Sequence, residues 1–221
     1  MQEPRIVETA NISALLEPFI ARTLSSAQLD QISIYIDLLL RWNARINLTS
    51  VRAPEEIVTR HFGESLFLAS HVFSDSSDHR LLPTARCLDI GSGAGFPALP
   101  LKIWAPSIHL TMIESNHKKA AFLREVARSL TLTNVNVLTA RAETLAATQD
   151  RPRADLVTLR AVEHFKAILP QAVAFLAPHA TLALLVGKSQ LPRLATQTAI
   201  TWQVPIHIPK SESRVLSVGH I

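Results

Sequence analysis

Hydrophobic residues in the first third of the chain recur at the spacing of an α-helix. Apolar side chains stand at Leu29, Ile32, Ile36, Leu39 and Ile46. Ser25 and Ser26 precede this run and are candidates for the helix N-cap. Pro54, with Glu55 and Glu56 behind it, predicts the start of a second helix that runs toward Val72. The pattern therefore predicts an all-helical first third.

The pattern changes after residue 74. The polar, proline-containing stretch SDSSDHRLLPTA, residues 74–85, reads as a linker. Short apolar runs then alternate with helical patterns: CLDI, HLTMI, NVNVL, ADLVTL, TLALLV and RVLSV. Such alternation predicts βαβ units and a mostly parallel sheet. We expect a helical N-terminal extension over residues 1–84 and an α/β domain over residues 85–221.

One stretch, LDIGSGAGFP at residues 88–97, holds three of the six glycines of the chain. It lies between the predicted first strand, CLDI, and a predicted helix, PALPLKIWA, and so at the carboxyl end of the sheet. Ligands of doubly wound sheets bind at this end. Gly91, Gly93 and Gly95 would let the main chain approach a nucleotide-like ligand, and Pro97 suits a first helical turn. The alternative is a tight strand-to-helix turn with no ligand.

The glycine spacing separates two classes of cofactor. A dinucleotide fingerprint requires G-x-G-x-x-G, whereas this chain has G-x-G-x-G, with Phe96 where the last glycine would stand. Asp89 completes the pattern D-x-G-x-G-x-G, which resembles motif I of the class I S-adenosylmethionine-dependent methyltransferases. Asp89 could instead satisfy loop amides, a structural role that is compatible with shaping a cofactor site.

Further acids follow the next two predicted strands. Glu114 ends HLTMIES, where a carboxylate can accept hydrogen bonds from both ribose hydroxyls of a nucleoside. Ala142 and Glu143 follow the third strand, where this fold usually frames the adenine. A surface glutamate at a strand end and a solvated loop acid remain the alternatives for Glu114 and Glu143.

Several segments together resemble one family. They are RWNARINLTSVRAPEEIVTRHF at 41–62, LDIGSGAGFPALPL at 88–101, ESNHKKAAFL at 114–123, RAE at 141–143 and LRAV at 159–162. In this order they are similar to RsmG, also called GidB, a family of bacterial 16S rRNA guanine-N7 methyltransferases. The resemblance runs from about Leu24 to Val218. It implies a class I Rossmann-like fold and cofactor contacts at Gly91, Phe96, Ala142, Glu143 and Arg160, supported by Asp89, Gly93 and Glu114.

The resemblance also implies a chemistry with few demands on side chains. Guanine N7 offers a lone pair and has no proton to lose, so no general base is required. Positioning would carry most of the catalysis, with Arg160, after the fourth strand, as a candidate for it. The sequence lacks a [DNS]-P-P-[FYW] tetrapeptide and has one cysteine, which disfavours transfer to exocyclic amines or to cytosine C5. A rim arginine in water is the alternative for Arg160.

Two positions depart from the family pattern. The family often has K-G after its fifth strand, whereas this chain has VGKSQ, so a cofactor contact at Lys188 is not assigned. Glu64 replaces an Asp that precedes the Ser of the second helix. A phosphate-loop interpretation of GKS fails, because the position that should hold the first glycine is Leu182.

Charge adds candidates for RNA binding. The net charge is +4, and residues 1–80 hold 7 Lys+Arg against 10 Asp+Glu, which leaves 15 against 8 for residues 81–221. Candidates near the mouth of the sheet are Arg45, Arg52, His61, Lys118, Lys119 and Arg124. Solvated lysines on a helix face and a structural His61 remain alternatives, and at helical spacing Trp42 is more typical of a core residue than of a base-stacking platform.

The cysteine content and the N-terminal sequence indicate the cellular compartment and exclude some classes of site. Cys87 is the single cysteine, so no internal disulfide or cysteine zinc site can form from it alone. The first residues lack the apolar core of a secretory signal. We expect a cytoplasmic monomer that uses S-adenosylmethionine and small-subunit rRNA, without a metal or a membrane. A methyltransferase for another RNA or a small molecule, and a non-catalytic cofactor-binding ribosome adaptor, are the alternatives.

Overall fold

An eight-stranded, mostly parallel sheet organises the protein. The computed structural model describes residues 7–73, 81–160, 165–194 and 199–221. The strands are β1 (Arg86–Ile90), β2 (His109–Ile113), β3 (Val135–Leu138), β4 (Ala154–Arg160), β5 (Leu176–Gly187), β6 (Thr201–Trp202), β7 (Ile206–His207) and β8 (Arg214–His220). All six predicted strands are confirmed, and β6 and β7 are two-residue additions.

The strand order is β3-β2-β1-β4-β5-β8-β6, with β7 also paired to β8. The pairs among β1 to β5 are parallel, and β8 runs antiparallel to β5, β6 and β7. The order changes direction between β1 and β4, which places a crevice at their carboxyl ends. In the described residues the predicted mostly parallel sheet is therefore confirmed.

The helices of the N-terminal region precede the sheet. They are α1 (Thr9–Leu16), α2 (Ser26–Asn43), α3 (Pro54–Glu56) and α4 (Glu64–Val72), with a π-helix at Ile57–Gly63 between the last two. Ser25 caps α2 in a capping box with Gln28. Because α2 ends at Asn43, the prediction that Ile46 continues its apolar face was wrong. The helix predicted from Pro54 toward Val72 is confirmed, although its π-helical turn was not predicted.

The remaining helices lie between and after the strands. They are α5 (Ala98–Trp104), α6 (His117–Ser129), α7 (Ala142–Ala146), α8 (Phe165–Ala174) and α9 (Leu191–Leu194). Two hydrophobic clusters hold these layers together. One joins α2 and the other N-terminal helices to α5, α6 and one face of the sheet, and the second lies between the other face and α8.

The N-terminal helices share a core with the sheet. Ile36 and Leu39 of α2, Phe122 of α6 and Met112 of β2 belong to one buried cluster. The division at residues 84 and 85 remains a prediction, and most of the predicted linker lies outside the described residues. Among the helices of the described ranges, none combines the length and apolar character needed to cross a membrane.

Candidate functional site

A cleft of about 480 Å³ opens at the carboxyl ends of β1 and β4. The glycine loop after β1 forms one wall, and the loop after α2 together with the π-helix forms the other. The lining residues are Leu48, Thr49, Ser50, Val51, Arg60, His61, Gly91, Ser92, Gly93, Ala94, Phe96, Lys119, Arg160 and Arg214. Of the predicted cofactor contacts, Gly91, Gly93, Phe96 and Arg160 line the cleft, whereas Asp89, Glu114, Ala142 and Glu143 do not.

The first part of the glycine loop is anchored to β2. The amides of Gly91 and Ser92 both donate to the Ile113 carbonyl, at 2.8 and 3.2 Å. Gly91 has φ +69°, and a Cβ built there would find no atom within 4 Å. A side chain at this position would thus adopt an unfavourable backbone conformation and extend into the cleft. The bare backbone leaves this space free for a ligand.

Gly95 has a different role from the one that the sequence predicted. Its φ is +88°, and a Cβ would lie 2.6 Å from Leu99 Cδ1 and collide with the Tyr35 hydroxyl. Tyr35 of α2 donates a hydrogen bond to the Ala94 carbonyl and stacks on Phe96, with ring centroids 5.2 Å apart. Gly95 therefore allows the loop to pack on α2 rather than on a ligand.

Glu114 is buried and holds the glycine loop from below. Its Oε2 accepts from the Gly93 amide at 2.8 Å, and its Oε1 accepts from the Asn116 amide at 2.7 Å. Each carboxylate oxygen can accept a further hydrogen bond. Glu114 thus ties β2 to the loop and keeps acceptor capacity for ligand hydroxyls.

Asp89 is a buried acid with one unsatisfied oxygen. Oδ1 accepts from the Thr158 hydroxyl at 2.6 Å, whereas Oδ2 is buried without a hydrogen-bond partner in the described residues. Burial raises the pKa of Asp89 to about 6. In the described residues no loop amide donates to either oxygen of the Asp89 carboxylate, so the alternative role, the satisfaction of loop amides, does not account for this acid.

Arg160 ends β4 and is almost completely buried. One guanidinium nitrogen donates to the Arg60 carbonyl at 2.7 Å, to His61 Nδ1 at 3.0 Å and to Glu64 Oε2 at 3.1 Å. Its Nε has no partner among the described residues, and the guanidinium lies 5.8 Å from the Phe96 ring. Arg160 is therefore not the rim arginine in water that was the alternative.

His61 lies in the cleft as a neutral ring. Because Nδ1 accepts from Arg160, Nε2 carries the proton and donates to Thr49 Oγ1 at 2.8 Å. Burial, and after it the charge of Arg160, lower the pKa of His61 to about 3. His61 also stacks on Phe96, with ring centroids 4.8 Å apart. It cannot contribute a positive charge toward a phosphate at neutral pH.

Sequence analysis missed Arg60, Arg214 and Tyr35, and it identified Glu64 only as a departure from the family pattern. Glu64 accepts an ion pair from Arg214 of β8 as well as from Arg160, and Arg214 and Arg60 both line the cleft. Tyr35 supports the glycine loop. The strand β8 reaches the cleft only because it inserts antiparallel beside β5, and no local pattern announces that placement.

Asn43 and Trp42 come from the segment that is most specific to the resembling family. The Asn43 side chain accepts from the Leu48 and Thr49 amides, at 2.8 and 3.0 Å, and donates to the Thr49 carbonyl at 2.9 Å. Asn43 thereby folds the loop after α2 over the cleft. Trp42 is half-buried against Phe122, with ring centroids 5.6 Å apart.

Ala142 and Glu143 form the first turn of α7, after β3, and do not line the cleft. Ala142 is buried, whereas Glu143 is exposed and forms an ion pair with Arg141 at 3.4 Å. Their predicted position beside an adenine remains a prediction. Lys188 donates to the Glu212 carbonyl at 2.7 Å, in a short 3₁₀ turn after β5.

The predicted RNA contacts are divided between surfaces. Lys119 lines the cleft, whereas Arg45 and Lys118 line a neighbouring groove, and Arg52 is exposed. Arg124 donates to the Val137 carbonyl at 2.9 Å and to Thr139 Oγ1 at 2.7 Å. The six candidates therefore do not form one patch.

The cleft fits a cationic nucleoside cofactor. Asp89 Oδ2 is buried and has no hydrogen-bond partner within the described residues, so a positively charged ligand group next to it would compensate its charge. The open space above Gly91 admits ligand atoms next to the backbone, and Glu114 offers acceptors for hydroxyls. These features occupy the carboxyl ends of β1 and β2, where doubly wound folds bind nucleotides.

The strand order and the cleft define a class I methyltransferase fold. Among solved structures, the chain is similar to a ribosomal protein L11 methylase from Lactobacillus delbrueckii subsp. bulgaricus, with a TM-score of 0.55, 15% identity and coverage of 72% of this chain and 79% of that one. A precorrin-6y C5,15-methyltransferase from Geobacter metallireducens gives a TM-score of 0.53, 14% identity and coverage of 71% and 87%.

Sequence comparison identifies the family within this fold. The model of the GidB family, rRNA small subunit methyltransferase G, matches residues 28–212. Ribosomal RNA small subunit methyltransferase G from Roseiflexus castenholzii is 39% identical over 88% of this chain and 84% of its own length. The protein of the same name from Bacillus subtilis is 33% identical over 90% and 85%. The chain belongs to the GidB family, which confirms the resemblance drawn from its motifs.

Proposed function

We propose that this protein transfers a methyl group from S-adenosylmethionine to N7 of a guanine in the 16S rRNA of the small ribosomal subunit. The observation that carries the proposal is the bare loop at Gly91, held between the buried acids Asp89 and Glu114, in a chain of the GidB family. The fold alone serves many methyltransferases, so the family match supports the rRNA substrate.

Particular residues would hold the methyl donor. The open backbone at Gly91 and Gly93 would border its methionine end, with Asp89 Oδ2 facing its positive charge. Glu114 would accept hydrogen bonds from the ribose hydroxyls through the lone pairs that Gly93 and Asn116 leave free. Ala142 and Glu143 are proposed on the adenine side, on the strength of the family resemblance alone.

The donor supplies an electrophilic methyl group when it is bound. Guanine N7 needs no base, and the cleft supports a mechanism without one, because both nitrogens of the neutral His61 are engaged by Thr49 and Arg160. What remains for the protein is to orient the guanine beside the donor and to exclude water. Phe96 and Arg160 lie where they would contact both groups.

The charge of the cleft supports a polyanionic substrate. Arg60, Lys119, Arg160 and Arg214 all line it, and two acids offset part of this charge: Glu64 pairs with Arg160 and Arg214, and Glu56 pairs with Arg60. Phosphate groups would be attracted to this rim. We propose that RNA enters the cleft at this rim. We also propose that the protein acts as a monomer, in the cytoplasm, and without a metal ion.

A labelling experiment tests the function. Small subunits purified from cells that lack this protein should accept labelled methyl from S-adenosylmethionine, and nucleoside mass mapping should locate the label as 7-methylguanosine in 16S rRNA. Label in another RNA or in a small molecule would show that the proposed substrate is wrong. Binding of the donor without methyl transfer would favour a non-catalytic adaptor. Arg128→Gln, an exposed substitution near the end of α6, should transfer methyl groups as the wild type does.

A further inference from the structure

A second groove lies beside the cleft, between the end of α2 and the start of α6. Its volume is about 470 Å³, and it is lined by Arg41, Trp42, Arg45, Ile46, Lys118 and Glu125. None of the residues proposed to hold the methyl donor lines it. It is therefore a separate surface feature, and its lining combines an aromatic ring with three cations and one carboxylate.

We propose that this groove binds a nucleotide of single-stranded rRNA that flanks the target guanine, with its base against Trp42 and its phosphate between Arg45 and Lys118. The inference rests on the proposed function, because it takes rRNA as the substrate. It adds a binding site for a base that is not methylated.

Continuity with the cleft supports this assignment. Lys118 lines the groove and the next residue, Lys119, lines the cleft. On the opposite side, Ile46 lines the groove and Leu48, two residues later, lines the cleft. Two chain segments thus border both cavities, with Cα atoms about 3.8 Å apart in one segment and at most about 7 Å apart in the other. An RNA strand that places the target guanine in the cleft would place the adjacent nucleotide in the groove.

The cations of the groove are available for phosphate. Arg45 and Lys118 are exposed, and within the described residues neither side chain forms an ion pair. The backbone amides of Lys118 and Lys119 are already bonded to Asn116 Oδ1, at 2.9 and 3.1 Å. A phosphate would therefore be held by side chains and not by the helix N-terminus.

Trp42 has the placement of a stacking platform. It is half-buried, packs at a tilt against Phe122 with ring centroids 5.6 Å apart, and lines the groove. Rigid aromatic surfaces bind unpaired bases without sequence preference, and specific RNA recognition commonly uses unpaired nucleotides. The cations and the indole together match a nucleotide better than an apolar or an acidic partner.

Binding and turnover measured separately test the groove. We would use small subunits from cells that lack the protein, with Arg45→Gln/Lys118→Gln and Trp42→Phe as variants and Arg128→Gln as an exposed control on the same helix. The double variant should raise the KM for subunits about tenfold, leave kcat within about twofold and lower the slope of log KM against log salt by about one to two. Trp42→Phe keeps a smaller ring, so its effect should be a rise in KM of severalfold.

Three further readouts make the result decisive. The Kd for S-adenosylmethionine should be unchanged in every variant, and ultraviolet crosslinking of the wild type should attach an unmodified nucleotide next to the target to the peptide that contains Trp42. Filter binding of subunits without donor measures the groove even if no methyl is transferred, so failure of the proposed function remains distinguishable. A wild-type KM and salt slope in the double variant would overturn the proposal, as would an equal loss in Arg128→Gln.

Discussion

The Tyr35 hydroxyl of α2 donates a hydrogen bond to the carbonyl of Ala94 in the glycine loop. The same ring stacks on Phe96, so a helix outside the α/β sheet determines the conformation of the loop that borders the cleft. The N-terminal helices thus help to shape the cleft.

This contact predicts the behaviour of Tyr35→Phe. The ring and its stacking remain, but the Ala94 carbonyl, which is almost fully buried, loses its donor. An unsatisfied buried acceptor costs about 1 to 3 kcal/mol, and we expect that loss in the free energy of unfolding. Because the loop is released, the Kd for S-adenosylmethionine should rise about fivefold, measured by calorimetric titration. An unchanged Kd together with reduced stability would limit Tyr35 to a structural role.

Glu114→Ala should have a larger effect on donor binding. The substitution removes the acceptor of the Gly93 and Asn116 amides as well as the proposed acceptor of the ribose hydroxyls. Hydrogen bonds to a charged group contribute about 1.5 to 3 kcal/mol each, so the Kd should rise tenfold or more.

Two further variants serve as comparisons for the Kd of Glu114→Ala. Glu114→Gln retains one acceptor oxygen and should give an intermediate Kd. Glu17→Ala, an exposed acid in the N-terminal region, should bind the donor as the wild type does. Calorimetry that gave the same Kd for Glu114→Ala and Glu17→Ala would exclude the proposed role of Glu114.

Arg160 requires a conservative substitution. A role in positioning alone predicts that Arg160→Ala reduces turnover far more than stability, but the structure places Arg160 in a buried ion pair with Glu64. Removal of one partner of such a pair costs about 3 to 5 kcal/mol, so the alanine variant should also lose folding stability.

Arg160→Lys separates the two effects. Lysine keeps the charge beside Glu64 but cannot reproduce the guanidinium geometry toward His61 and Arg60. We expect kcat to fall at least tenfold, with a smaller loss of unfolding free energy than in Arg160→Ala. Denaturant titration and single-turnover methyl transfer would measure the two quantities, and equal kcat for Arg160→Lys and wild type would indicate that only the charge matters.

Much of the fold could be predicted because its signals are local. The six apolar runs identified the strands, and the capping residues at Ser25 identified the start of α2. The glycine loop and Glu114 could be placed at the sheet edge because each directly follows a strand. The resemblance of several segments to the GidB family then predicted the class of substrate.

The rest of the site depends on contacts between distant parts of the chain. The glycine spacing predicts that Gly95 faces a ligand, yet its neighbour is Tyr35, 60 positions earlier in the sequence. The sequence predicts His61 as a candidate RNA contact, but its ring is neutral because the fold buries it beside Arg160. Arg214 reaches Glu64 only through the antiparallel insertion of β8. Such burial and pairing cannot be read from spacing along the chain.

The buried Asp89 predicts how donor binding depends on pH. Burial raises its pKa to about 6 in the free protein, so the carboxylate is charged above that pH and takes up a proton below it. A carboxylate that faces a cationic donor must be charged to attract it. The Kd for S-adenosylmethionine should therefore rise about tenfold between pH 7 and pH 5 in the wild type. Asp89→Asn should bind more weakly and show little change over the same range, whereas Asp150→Asn, at an exposed site, should follow the wild type.

The same carboxylate should make the free protein less stable at neutral pH. Because the folded-state pKa lies above that of the unfolded chain, the cost of the buried charge is fully present above pH 6 and disappears as the pH falls toward 4. Asp89→Asn keeps an acceptor for Thr158 and removes that cost. Its free energy of unfolding relative to the wild type should thus be more favourable at pH 7 than at pH 4, by up to about 3 kcal/mol. If the difference in unfolding free energy between Asp89→Asn and the wild type did not change with pH, the buried charge of Asp89 would not be a cost to stability that the protein retains for ligand binding.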